Sequence, residues 1–192
     1  VGGLHTRRVP PRHSGGGAMS ADAPVEELKV RARVRLNHAR REGTAGGMTL
    51  GDHLHAAARE VGFAHWEQAR QVLGDLATPT DDMGNFWHAP KTGLLLHLWF
   101  ARHDEALAVF APQRQGFLLP YRRQCFIVQA PFIDALGLDA ADPAWQALGH
   151  DLVAGYGTPA WQHLAGQRIR APLASFEPRL SLAHANTTHR PI

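Results

Sequence analysis

The chain has 192 residues, 44% of them hydrophobic, enough for one domain, or one domain with a small helical annex, around an ordinary core. A single cysteine, Cys125, excludes an intramolecular disulfide, and the longest apolar stretch, Leu94–Leu96 with Leu98–Ala101, is broken by His97 and far too short to span a bilayer. The formal net charge of +3 comes wholly from Arg7, Arg8 and Arg12, so the rest of the chain is balanced and its charge argues little for a polyanionic partner.

Residues 1–18, VGGLHTRRVPPRHSGGGA, show no apolar periodicity and lack the apolar segment of a secretory signal. They read as a disordered, non-native leader, with Met19 as the native start; a basic arm is the alternative. The absence of such a signal and the lone thiol point to a cytoplasmic protein. The heavy use of Ala, Gly and Arg over Lys (only Lys29 and Lys91) suggests a bacterial source.

The first helix is expected from Ala23 to Arg41, with Asp22 as cap, Pro24 in the first turn and Glu26 and Glu27 complementing the dipole. Val25, Leu28, Ala32, Leu36 and Ala39 form one narrow apolar stripe, and Gly43–Gly47 breaks the helix. Thr49 with Asp52 three positions on predicts a capped second helix, buried through Leu50, Leu54, Ala57, Ala58 and Val61 and stopped at Gly62. Trp66, Ala69, Leu73 and Leu76 repeat at helical spacing in a third helix. Residues 19–78 thus read as a three-helix unit.

Residues 79–170 read as a mixed, Trp-rich region. Leu94–Phe100 is a buried helix or a buried strand, which periodicity alone does not decide. Asp104–Phe110 reads as helix ended by Pro112. Gly116–Leu119 and Gln124–Gln129 flank Pro120–Arg123 as a hairpin, and Pro131–Leu136 reads as a helix stopped by Gly137. Asp142-Pro143-Ala144-Trp145 recurs as Thr158-Pro159-Ala160-Trp161, predicting two short capped helices whose tryptophans share a core. Residues 171–192, with three prolines, read as a loosely ordered tail. The fold class expected is α+β, predominantly helical: a three-helix unit followed by a Trp-rich region with one small β-hairpin.

No motif specifies a reaction. There is no phosphate-binding glycine loop, no paired Cys-x-x-Cys and no HExxH. His97 and His103 are six apart, off one helical face. The dipeptides His103-Asp104 and His150-Asp151 suggest a metal-dependent phosphohydrolase, but no aspartate follows Asp151 to complete its ligands. No metal or cofactor is therefore expected. The leading expectation is a non-catalytic interaction or regulatory module, acting on a protein partner or on itself through tryptophan anchors. A first alternative is nucleic-acid binding through a helix-turn-helix-like unit and the basic residues Arg31, Arg35, Arg40 and Arg41. A second is a small enzyme with a pocket in the loop 84–93, drawing on Trp87, His88 and Lys91, with Tyr121, Arg122 and Arg123 for anion contacts.

Overall fold

The computed structural model describes residues 23–89, 92, 95–113 and 115–176. The leader, the Asp22 cap, Lys91, Leu94 and residues 177–192 lie outside them. Helix α1 (Ala23–Arg41) buries Val25, Leu28, Ala32 and Leu36, as its stripe predicts. Helix α2 (Leu50–Glu60) opens on the expected capping box: the Thr49 hydroxyl accepts from the Asp52 N–H at 3.3 Å, and the Asp52 carboxylate accepts from the Thr49 N–H at 2.8 Å. Its buried face is Ala57, Ala58 and Val61, with His53 where Leu50 and Leu54 were expected; those two are half-buried. Gly62 ends the helix at φ 94°, and a Cβ there would sit 2.8 Å from the Asn85 carbonyl carbon. Helix α3 (Trp66–Leu73) stops at Gly74, earlier than periodicity suggests, which leaves Leu76 exposed.

The hairpin forms as β2 (Phe117–Tyr121) and β3 (Gln124–Val128), joined by a two-residue turn in which Arg122 takes φ 52°. A further strand, β1 (Leu98–Phe100), pairs antiparallel with β3, so the expected hairpin is a three-stranded sheet of order β1-β3-β2. The undecided segment is thus a strand at its C-terminal end, and not a buried one: as the outer strand of the sheet it leaves Leu98 and Trp99 exposed. The outer edge of β2 is covered: Leu118 N–H donates to the His150 carbonyl at 2.8 Å, and Leu152 N–H donates to the Leu118 carbonyl at 2.9 Å. Among the described residues no strand covers the outer edge of β1.

Strand alternation gives the sheet two unlike faces. Phe100, Leu118, Cys125 and Ile127 meet Ala106 and Phe110 of α4 (His103–Gln113), which runs one residue past Pro112. Leu119, Phe126 and Val128 point the other way, into the main core. Past the sheet come α5 (Ala130–Ala135), α6 (Pro143–Ala147), α7 (Pro159–Arg170) and a short turn at Leu173–Ser175. Both repeat tryptophans are fully buried in one core: Trp145 lies edge-on to Phe117 at 4.8 Å, and Trp161 meets Trp87 at 5.6 Å and Tyr156 at 5.0 Å. Only the first of these helices is short.

That core also takes Val25, Leu28, Val61 and Val72, so it runs through the 78–79 boundary. Tyr156 O–H donates to the Val72 carbonyl at 2.8 Å, and Arg31 donates to the Ile169 carbonyl at 2.6 Å. The first part of the expected tail is anchored. Ser175 accepts twice from the buried Arg168, and Phe176 lies under its guanidinium at 3.6 Å. Apolar burial of Phe176 and the hydrogen-bonding demand of Arg168 hold a stretch that its proline content had marked as loose. Half of the described residues are helical, with one small sheet, the expected α+β class. No helix of the described residues is long and apolar enough to cross a membrane.

Candidate functional site: an aromatic and histidine surface beside the open strand

The loop after residue 82 is sewn to two neighbours. Asn85 N–H donates to the Gly62 carbonyl at 2.7 Å, Met83 N–H to the Arg122 carbonyl at 2.9 Å, and Arg122 N–H to the Gly84 carbonyl at 2.8 Å. This fixes the loop against the end of α2 and the turn of the hairpin. Phe86 and Trp87 then enter the core, Phe86 stacking on Phe63 at 5.3 Å. His88 emerges half-buried, 5.1 Å from the Tyr121 ring and 6.4 Å from Trp99.

Around His88 the rings form one cluster. Trp99 stacks on Phe126 at 4.6 Å and 18°, and receives Tyr121 edge-on at 5.2 Å. Phe132 backs Phe126 at 5.4 Å. His97 closes the other flank, perpendicular to Phe132 at 5.3 Å, and its Nε2 is buried with no hydrogen-bond partner among the described residues. Arg122 sits above, its Nε donating to the Asn85 side-chain oxygen at 3.0 Å and its guanidinium 5.4 Å from the Tyr121 centroid.

The outer rim is apolar and open. Trp99 is 44% exposed despite its stacking and Leu96 78%, while Leu98, on the sheet's other face, is 45% exposed. A ring held on two sides by other rings has lost most of its rotamer freedom before any ligand arrives. The surface therefore offers a rigid aromatic plane, two imidazoles and one guanidinium along a strand edge that no described strand covers. That combination buries apolar or aromatic groups well.

Of the residues expected at a pocket, the structure brings His88, Tyr121 and Arg122 together. Trp87 is buried in the core, where its ring packs on Trp161, and Lys91 lies outside the described residues. Arg123 turns to the opposite side of the sheet. Trp99, His97, Phe126 and Phe132 belong to the cluster but were not singled out for it. A strand reading of 98–100 would have put Trp99 and Tyr121 on one face.

The basic residues of α1 are divided. Arg31 is held by Glu27 at 3.1 Å as well as by Ile169, and Arg35 pairs with Glu60; Arg40 and Arg41 are exposed. The surface of α3 carries a Glu67–Arg70 pair at 2.6 Å, close to neutral. No group of three or more His, Cys, Asp or Glu side chains suited to a metal ion occurs among the described residues. Set against protein-family models, curated proteins and solved structures, the chain matches none of them.

Proposed function

We propose that this protein is a non-catalytic interaction module of the cytoplasm that binds an extended, apolar segment of a partner protein along β1, with Trp99 as the anchor. The observation that carries this reading is Trp99 itself: a tryptophan stacked on Phe126, fenced by Tyr121 and still 44% exposed on an open strand. Exposed, pre-positioned tryptophans are typical binding hot spots. Among the described residues no strand covers this edge, which leaves room for an added one, and the uncharged side chains Leu96, Leu98 and Trp99 call for an apolar one.

A photo-crosslinking residue at position 98, with the same residue at Val34 on exposed α1 as control, tests this. The expected result is a partner captured from position 98 only, whose binding weakens at least about tenfold in Trp99→Ala and in Leu98→Lys. Unchanged binding in both variants rejects the reading.

The 5.1 Å approach of His88 to Tyr121 favours a second reading, a small enzyme using this same cluster. It predicts a turnover lost in His88→Ala. Nucleic-acid binding draws less support, since Arg31 and Arg35 are engaged within the fold.

A further inference from the structure

The reverse face of the sheet carries different chemistry. A cavity of about 600 Å³ lies between the start of α4, the hairpin turn and residues 153–154. Pro120, Cys125, Ala101 and Val153 give it apolar walls. Burial pushes the Cys125 thiol up to about 11, so the sulfur is a neutral wall rather than a nucleophile.

The other half of the lining is polar (Thr80, Arg102, His103, Asp104, Arg123 and Gln124), and two features of it bear on a ligand. The first crosses the two His-Asp dipeptides of the sequence: His103 Nε2 lies 2.8 Å from Asp151 Oδ2. The buried Asp151 is itself fixed, its Oδ1 accepting from the N–H groups of Val153 and Ala154, each at 2.9 Å. The carboxylate engages the Nε2 side of the ring, which leaves Nδ1 as the ring nitrogen open to a ligand. The second feature is Arg123. Arg102 beside it is already held by Asp104 at 2.9 Å and Glu105 at 3.3 Å, whereas Arg123 makes no ion pair with the described residues. Asp81, an acid whose carboxyl Arg123 helps to hold low, is engaged first by the Thr78 N–H at 2.7 Å and the Thr78 hydroxyl at 3.0 Å.

A guanidinium unpaired among the described residues, an imidazole nitrogen and apolar walls in a cavity of this size specify a ligand class. We propose that the cavity binds a small hydroxy-bearing carboxylic acid with an apolar or aromatic body. The carboxylate meets the Arg123 guanidinium, the body lies against Pro120, Cys125 and Val153, and the ligand hydroxyl, which can donate or accept, pairs with His103 Nδ1. This site is on the opposite face from the Trp99 surface and does not depend on it.

The test is titration of the full chain with 3- and 4-hydroxybenzoate, with benzoate and 4-hydroxybenzamide as controls, followed by calorimetry and ligand-observed NMR up to about 10 mM, the range in which weak binders saturate. Saturable binding of at least one hydroxybenzoate is expected, with benzoate and the uncharged amide each weaker. Arg123→Gln, in an exposed turn that tolerates it, is expected to weaken binding about tenfold, the effect of losing one charge-assisted contact, while Trp99→Ala leaves it unchanged. Absence of saturable binding by either hydroxybenzoate overturns the proposal, as does full affinity in Arg123→Gln. Equal affinity for benzoate and the hydroxybenzoates overturns it as well, because the hydroxyl contact at His103 would then be absent.

Discussion

Cys125 and Arg168 are both buried ionisable groups, and the fold treats them differently. Arg168 is surrounded by acceptors: the carbonyls of Phe86, Leu136, His88 and Ser175 and the Ser175 hydroxyl take its donors. Burial still draws it down to about 9, which leaves it charged at neutral pH. Cys125 has only a long contact, 3.9 Å, to the Phe100 carbonyl, and burial raises it to about 11, with Asp151, Glu105 and Asp104 adding repulsion. Its ordinary value is 9.0, so the folded state holds the proton more tightly than the unfolded chain does. The stability this confers is complete below pH 9 and is lost as the pH climbs towards 11. Tyr156, raised from 10.0 to about 12 by burial, loses its share later in the same direction. Urea unfolding at pH 8 and pH 10.5 should therefore show the parent chain losing about 2 kcal/mol more than Cys125→Ala. Identical losses in the two proteins would mean that the thiol is not desolvated as described.

At the scale of elements, what was legible was what is locally determined. The bounds of α1 follow from an i, i+4 stripe, and the start of α2 from a hydroxyl and a carboxylate three residues apart, both contained in a few consecutive residues. Strand β1 is different, because its partner β3 lies some twenty-five positions on and a three-residue run carries no period of its own. The candidate surface was lost with it: His88, Tyr121 and Arg122 could be nominated by residue type, but Trp99 joins them only through the register Trp99–Phe126. Gly62 shows the same divide at one position. Its role as a helix stop is local, whereas its contact with Asn85 is not. Gly43 has a comparable backbone, φ 69°, with nothing within 4 Å of its Cβ position. Gly43→Ala should thus cost only the left-handed backbone penalty, about 1 kcal/mol. Gly62→Ala adds a backbone collision and should cost at least about 3 kcal/mol. Chemical denaturation of the two variants gives the comparison directly; equal losses would show that the α2–loop contact can yield.

For the molecule as a whole, the polar stretch Thr78–Asp82 reads as a linker, and the helices before it read as a unit. The packing argues that this unit is incomplete. The inner faces of α1 and α3 are finished by α7 and the turn before it: Arg31 reaches the Ile169 carbonyl, Gln162 donates to the Leu73 carbonyl at 3.3 Å and to Asp75, and Tyr156 donates to Val72. Phe63 is covered by Phe86, and Val25 and Leu28 share their cluster with Trp161 and Ile169. Three short helices of some fifty residues bury too little apolar surface to offset their own ordering entropy once such a cover is removed. A fragment spanning residues 19–78 should accordingly lack a fixed structure, giving collapsed amide dispersion in NMR spectra and no cooperative melt. Added residues 79–176 should restore both, because they return α7 and the aromatic loop as one piece. Dispersed resonances and a cooperative transition from the fragment alone would instead make the first three helices an autonomous domain, and the shared core a docking contact between two folded parts.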